Sequence, residues 1–275
     1  MLSRYKILLL NIILFAFIIA SRFQTFGNPL IHVDEEFYLF GGGRLLHGDL
    51  PYIQIWDRKP FGIFLLYAFF HLFGPYRIIA YQAGAVMAVW GTAWLLFRMG
   101  QTIAPTVGAF VSALLYVALL NLSLGEGGQT PIFYNLLVAG AVALILRRLM
   151  RPGRLLRTRD ILSAMLLFGL AMQIKYTVVF EGIFVGLYCV FHRFLASRSL
   201  SGILKDVSLL AGAGILPTAI IFTFYAALGH RSEWIFANLE SIFLRGHVPI
   251  KEIHHLQKRM LVDILPLIPG LVVTG

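Results

Sequence analysis

The amino-acid sequence predicts an all-α, polytopic integral membrane protein. Three observations carry this. Of 275 residues, 59% are hydrophobic and only 13% charged, and mean hydropathy is +0.80; soluble domains run closer to about half apolar and a quarter charged. The apolar residues gather into runs of the length that crosses a bilayer, about 20 helical residues or slightly fewer in a short upright span. Lys and Arg concentrate in a few of the intervening loops, as they do on the cytoplasmic side of membrane proteins. The net charge of +10 then points to membrane lipids with anionic head groups as partners, and no nucleic-acid module is present. The single Cys189, inside an apolar run, excludes an internal disulfide and a thiolate metal cluster. With 23 Phe and 11 Tyr, the chain is well supplied for lipid contact and interfacial belts.

Spans are expected at about 5–22, 77–97, 107–124, 131–147, 160–174, 176–192 and 207–228, with a partial one at 261–275. The first follows Arg4 and Lys6 and has the outline of a signal peptide, but no small-residue cleavage site follows it, so it is read as a retained span. Loop charge sets the orientation. Arg147, Arg148, Arg151, Arg154, Arg157 and Arg159 form the strongest basic loop, and Arg193, Arg198 and Lys205 the next; both belong inside. With Arg4 and Lys6 also inside, one apolar run before Arg147 must fail to cross. The weakest is Phe61–Phe73, which follows a proline, carries His71 and ends at Gly74-Pro75. It is read as a helix lying in the membrane interface. The N-terminus is then cytoplasmic and the loop 23–76 lies outside. The outer segments hold most of the acids, Asp34, Glu35, Glu36, Asp49, Asp57, Glu126, Glu233, Glu240 and Glu252, an asymmetry not used to build the topology.

That first outer loop holds the densest polar chemistry. Asp34-Glu35-Glu36 suits the positive end of a helix dipole, with Asp34 as N-cap; the alternative is a base or metal ligand beside the membrane. Successive helical residues point about 100° apart, so at most one or two of these acids face a common site. Gly41-Gly42-Gly43 marks either a close approach or a helix break. Arg58-Lys59 before Pro60 either anchors the next helix at head-group level or binds phosphate, and Asp57 either orients or neutralises Lys59. Lys175 occupies a short outer turn before Glu181, and Glu126 and Gln129 another; pairing and ordinary turn chemistry are the simpler readings there. His230, His247, His254 and His255, with Arg245 and Lys251, lie in the last outer loop, without a His-Glu-x-x-His spacing for zinc. The central spans carry few polar residues, which weakens a transporter reading.

The ordered set Asp34-Glu35-Glu36-Phe37-Tyr38, Gly48-Asp49-Leu50-Pro51-Tyr52, Lys59-Pro60 and Phe73-Gly74 resembles the membrane glycosyltransferases of the GT-C class. It is most similar to the branch with the lipid A aminoarabinose transferases, the protein O-mannosyltransferases and related lipopolysaccharide glycosyltransferases. The resemblance implies a GT-C-like transmembrane module with juxtamembrane helices in the first outer loop. It implies inverting transfer of a sugar from a polyprenyl-phosphate carrier to a glycan, lipid or protein acceptor on the outer face of the cell membrane. Asp34 matches the acid that orients or deprotonates the acceptor, and Lys59 the cation on the lipid phosphate. On this reading Asp34 is catalytic, and Glu35, Tyr38, Arg58, Lys59, Glu126 and Lys175 bind substrate. Two departures stand out. Arg58 occupies the place of an acid before the Lys, and Gln129-Thr130 stands where an acid precedes Pro131. No cofactor follows, and a divalent metal stays open. Relatives usually continue with further spans, so the chain is expected to lack them. A non-catalytic membrane subunit binding lipid-linked sugar and a small lipid or solute transporter are the rival expectations.

Overall fold

The computed structural model of the protein describes residues 4–151, 156–197, 200–244 and 258. The expected partial span at 261–275 and the candidates Arg245, His247, Lys251, His254 and His255 lie outside these residues. Among the described residues the chain is helical, with one isolated bridge between Pro51 and Ile55 and no strand. Helix α1 spans Arg4–Arg22, α2 Val33–Leu46, α3 Phe61–His71, α4 Arg77–Gly100, α5 Thr106–Leu122, α6 Thr130–Leu149, α7 Thr158–Met172, α8 Val179–Ser197 and α9 Leu200–Ala227. A short α10, Arg231–Ile235, runs through a π-helical turn, Phe236–Glu240, into Ser241–Phe243.

Five helices among the described residues are long and apolar enough to cross a membrane: α1 with the turn after it, α4, α6, α8 and α9. Their outward side chains include Leu9, Ile12, Phe184, Leu187, Ile215 and Ile220, an apolar surface that is stable against lipid and not against water. Where spans were expected at 107–124 and 160–174, α5 and α7 have 17 and 15 residues. These give roughly 25 and 22 Å of helix, short of a ~30 Å hydrocarbon core. Helix α5 stops because the chain reverses at Leu124, with φ 60°, and Gly125 N–H donates to Leu120 O at 2.8 Å. Helix α9 starts earlier than the run at 207–228, and Asp206 within its added turns pairs with Arg193 of α8 at 3.0 Å.

Two cores hold the bundle. One joins α1, α3, α4, α5 and the start of α6 through Leu14, Phe64, Tyr67, Val89, Ala113 and Ile132. The other joins α6, α7, α8 and α9 through Ile145, Ile161, Phe168, Cys189 and Leu210. The segment between α1 and α4 is built on α2 and α3. Gly41-Gly42-Gly43 continues α2 without a break. A Cβ on Gly42 would stand 2.5 Å from Ala68 N and 2.6 Å from the Tyr67 carbonyl carbon, backbone that cannot yield. The glycines therefore let α2 lie on α3, against about 1 kcal/mol of helix propensity each. Helix α3 has 11 residues, or ~16 Å, too short to cross. It buries Phe64, Tyr67 and Phe70 and exposes Leu65 and Phe69. The N-cap of α2 is His32, with no side-chain capping bond. Asp34, expected there, lies in the first turn, where its carboxylate meets Lys59 instead.

Candidate functional site

The segment from Asp49 to Pro60 is fastened before it presents a side chain. Arg44 pairs with Asp49 at 2.5 Å. Leu50 N–H donates to Gln54 Oε1 at 2.8 Å, and Tyr52 N–H to Ile55 O at 2.7 Å. Tyr52 turns at φ 73°, a conformation that costs a residue with a Cβ about 1 kcal/mol or more. Burial against Tyr225 and Phe61 holds it there. Its hydroxyl donates to Lys59 O at 2.8 Å, and Tyr225 Oη donates to Pro51 O at 2.9 Å. The backbone of Lys59 is thus tied through one tyrosine to its loop and through a second to α9.

From this anchor Lys59 reaches α2. Its Nζ donates to Tyr38 Oη at 2.6 Å and to Asp34 Oδ2 at 3.1 Å, and Tyr38 Oη donates to the same Oδ2 at 3.3 Å. Asp34 and Tyr38 are four residues apart and so share a helix face. Tyr38 is fully buried, whereas 53% of the Asp34 side chain and 25% of that of Lys59 stay exposed. Burial first, and then the Asp34 carboxylate, push the Tyr38 hydroxyl above its ordinary pKa, so it remains a donor to Oδ2. An ammonium has three N–H groups; two are used here. Asp34 Oδ1 makes no hydrogen bond among the described residues, which leaves it for a proton donor.

Beside this triad opens a cavity of about 490 Å³, lined by Trp56, Asp57, Arg58, Lys59, Lys175 and Tyr176 among others. Arg58 and Lys59 come from the fastened loop, and Lys175 from the turn between α7 and α8. Tyr176 beside it donates to Asn238 in the π-helical turn. Asp57 Oδ1 accepts from Arg58 N–H at 2.6 Å, and burial raises its carboxyl above the usual range. Three cations and one carboxylate that its own loop occupies make a site for an anion with several oxygens, phosphate above all.

No family model, curated protein or solved structure matches this chain.

The other acids separate from the triad. Glu35 is fully buried on a different face of α2, as its 100° offset from Asp34 requires. Its carboxylate lies against Gly127, whose φ is 64°. Neither oxygen has a partner in hydrogen-bond geometry. Burial raises the carboxyl to about 7. The Gly128 N–H, the Tyr81 hydroxyl and Arg22 stand close enough to oppose that shift, and desolvation outweighs them. Glu36 lines a second cavity of about 440 Å³ with Glu35, Arg44, His47, His71 and Arg77. Glu126 is half-buried in the turn between α5 and α6 and lines neither cavity. Among the described residues no group of three or more His, Cys, Asp or Glu is placed to hold a metal ion. His230 Nδ1 lies 3.2 Å from Glu233 Oε1.

Sequence reasoning missed Arg22. Its side chain is buried and donates to Asn121 Oδ1 at 2.8 Å, Gly125 O at 2.9 Å and Gly127 O at 2.7 Å. Tyr67 Oη adds a bond to Gly128 O at 2.8 Å. Together they hold the Gly125–Gly128 turn behind Glu35. One signal was available: Arg22 closes the first span at the end where the expected topology, set by loop charge, calls for few cations.

Proposed function

We propose that this chain is a membrane glycosyltransferase of GT-C type, taking a sugar from a polyprenyl-phosphate carrier with inversion. The observation that carries the reading is Lys59, which joins Asp34 and Tyr38 in the triad and itself lines a cavity with Arg58 and Lys175. The carrier phosphate occupies the basic cavity, and the remaining N–H of Lys59 meets a phosphate oxygen. The acceptor hydroxyl approaches Asp34 Oδ1. Its proton passes to the carboxylate as its oxygen bonds to the anomeric carbon. The bond from that carbon to the phosphate oxygen breaks, and its electron pair stays on the phosphate. Charge grows on the leaving group, where fixed cations lower the barrier most. Inversion requires the acceptor oxygen and the leaving phosphate oxygen on opposite faces of the reacting carbon, the acceptor toward Asp34 Oδ1 and the phosphate toward Arg58 and Lys175. Tyr38 holds the cation and the carboxylate in register.

The test is mass spectrometry of cell-envelope glycans in cells with and without this chain, then with Asp34→Asn or Lys59→Ala. Each substitution is expected to lower transfer by about 100-fold or more while membrane insertion stays normal. Full transfer by Asp34→Asn would refute the catalytic assignment.

A further inference from the structure

We propose that the end of the bundle opposite the triad carries a binding site for one anionic phospholipid, its head group on a ring of arginines and an acyl chain in an adjoining groove. A small cavity of about 170 Å³ is lined by Arg147, Arg148, Arg151, Arg157, Arg159 and Asp160, with Leu144. Asp160 lies 4.0 Å from Arg148 and 3.6 Å from Arg159, and it is the one acid among the described residues that line the cavity. Helix α7 begins beside it at Thr158, with no side-chain cap from Arg157, and directs the positive end of its dipole at the same point. A phosphate diester there would accept bidentate bonds from the ring and relieve its mutual repulsion.

A second cavity, of about 710 Å³, adjoins the first through the shared residues Leu144 and Arg147. Leu95 and Met99 of α4, Ala143 and Leu146 of α6, Met150 just after it, and Leu167 of α7 give it an apolar wall. Arg98 stands on its rim, with its guanidinium over the Trp94 ring at 5.8 Å from the centroid. Gly140 forms part of the floor, where a Cβ would meet only Leu167 Cδ1, at 3.6 Å. A free anion needs the arginines and not the groove; a lipid needs both. That an apolar groove opens from a cationic cup favours the lipid. From the start of α6 to Arg147 is about 25 Å of helix, so the site is separate from the triad, and its occupancy need not follow the catalytic reading.

Native mass spectrometry of the purified full chain in neutral detergent, with phosphatidylglycerol or phosphatidylcholine added, tests this. Each Lys or Arg near a membrane adds attraction for anionic lipid, so the ring should give phosphatidylglycerol an advantage of at least ~10-fold. Arg147→Gln with Arg151→Gln should bring the two lipids close to parity. Gly140→Phe keeps every charge, fills the groove and should also weaken phosphatidylglycerol, which keeps the test decisive if the arginine variant fails to insert. Millimolar inorganic phosphate should not displace the lipid. Equal retention of both lipids by the unmodified chain would overturn the proposal. So would undiminished binding in Gly140→Phe, or displacement by inorganic phosphate, since either would mark a site for a free anion only.

Discussion

Replacing Glu35 by Gln should stabilise the folded chain at pH 8 and leave it nearly unchanged at pH 5. Burial raises this carboxyl from 4.5 to about 7 in the folded state. The folded chain therefore keeps a proton that the unfolded chain releases over that interval. The contribution of the neutral acid is complete below 4.5 and is lost as pH rises through about 7. A shift of about 2.5 units at 1.36 kcal/mol each makes the loss about 3 kcal/mol. Glutamine has nearly the same shape and stays neutral at every pH, so it escapes the loss. In a chain of this size that corresponds to a midpoint about 6–12 °C higher at pH 8. Thermal unfolding in detergent, followed by tryptophan fluorescence between pH 5 and 8, reads the difference between the two proteins. Parallel curves across the range, or a Gln variant that unfolds earlier at pH 8, would mean that Arg22 keeps Glu35 charged, and the reasoning fails.

Three further outcomes are expected. Gly127→Ala puts a Cβ 2.5 Å from Glu35 Oε1 at a φ of 64°; the left-handed backbone alone costs about 1–2 kcal/mol. The midpoint should fall by roughly 5 °C or more, read by a thiol-reactive dye on the buried Cys189, and Glu35→Ala in the same chain should recover only the steric part. Tyr38→Phe removes a bond to the Lys59 ammonium, typically worth about 1.5–3 kcal/mol, so the unfolding midpoint should fall by roughly 3–12 °C and transfer by the folded protein should drop about 10- to 100-fold. A cysteine engineered at Asp49 should label from outside the cell and one at Arg151 only after permeabilisation; the reverse would overturn the topology.

The helical runs were legible because each apolar stretch and each basic loop is a local property of the chain. Helix ends were less so. Gly125 returning its N–H to Leu120 O shortens α5 without any change in composition. The triplet of glycines read equally well as a break or a contact, since only the partner helix decides. Asp34 and Lys59 were paired through a family resemblance, as a separation of 25 residues predicts no contact by spacing. The convergence of Lys175 on Arg58 and Lys59 lies further still from any local pattern. The offset between Asp34 and Glu35 follows from helix geometry, but what awaits Glu35 does not. Arg22 binds two backbone carbonyls and one amide, and carbonyls leave no mark in a sequence.

Arg22 also imposes an order on assembly. Its acceptors follow it by 99 to 105 positions. At ordinary elongation rates that is an interval of about 5–20 s. During it, α1 is already in the membrane with a guanidinium at its trailing end, and water or lipid head groups must carry the charge. The helix bearing Asp34 and the loop bearing Lys59 emerge from the ribosome within the same interval, ahead of the turn that will back them. A nascent chain halted after α4 would contain the whole triad and still lack Lys175, Tyr225 and the turn behind Glu35. Synthesis thus delivers the triad first and its support last, and the arrangement is complete only when the second half of the bundle closes on the first.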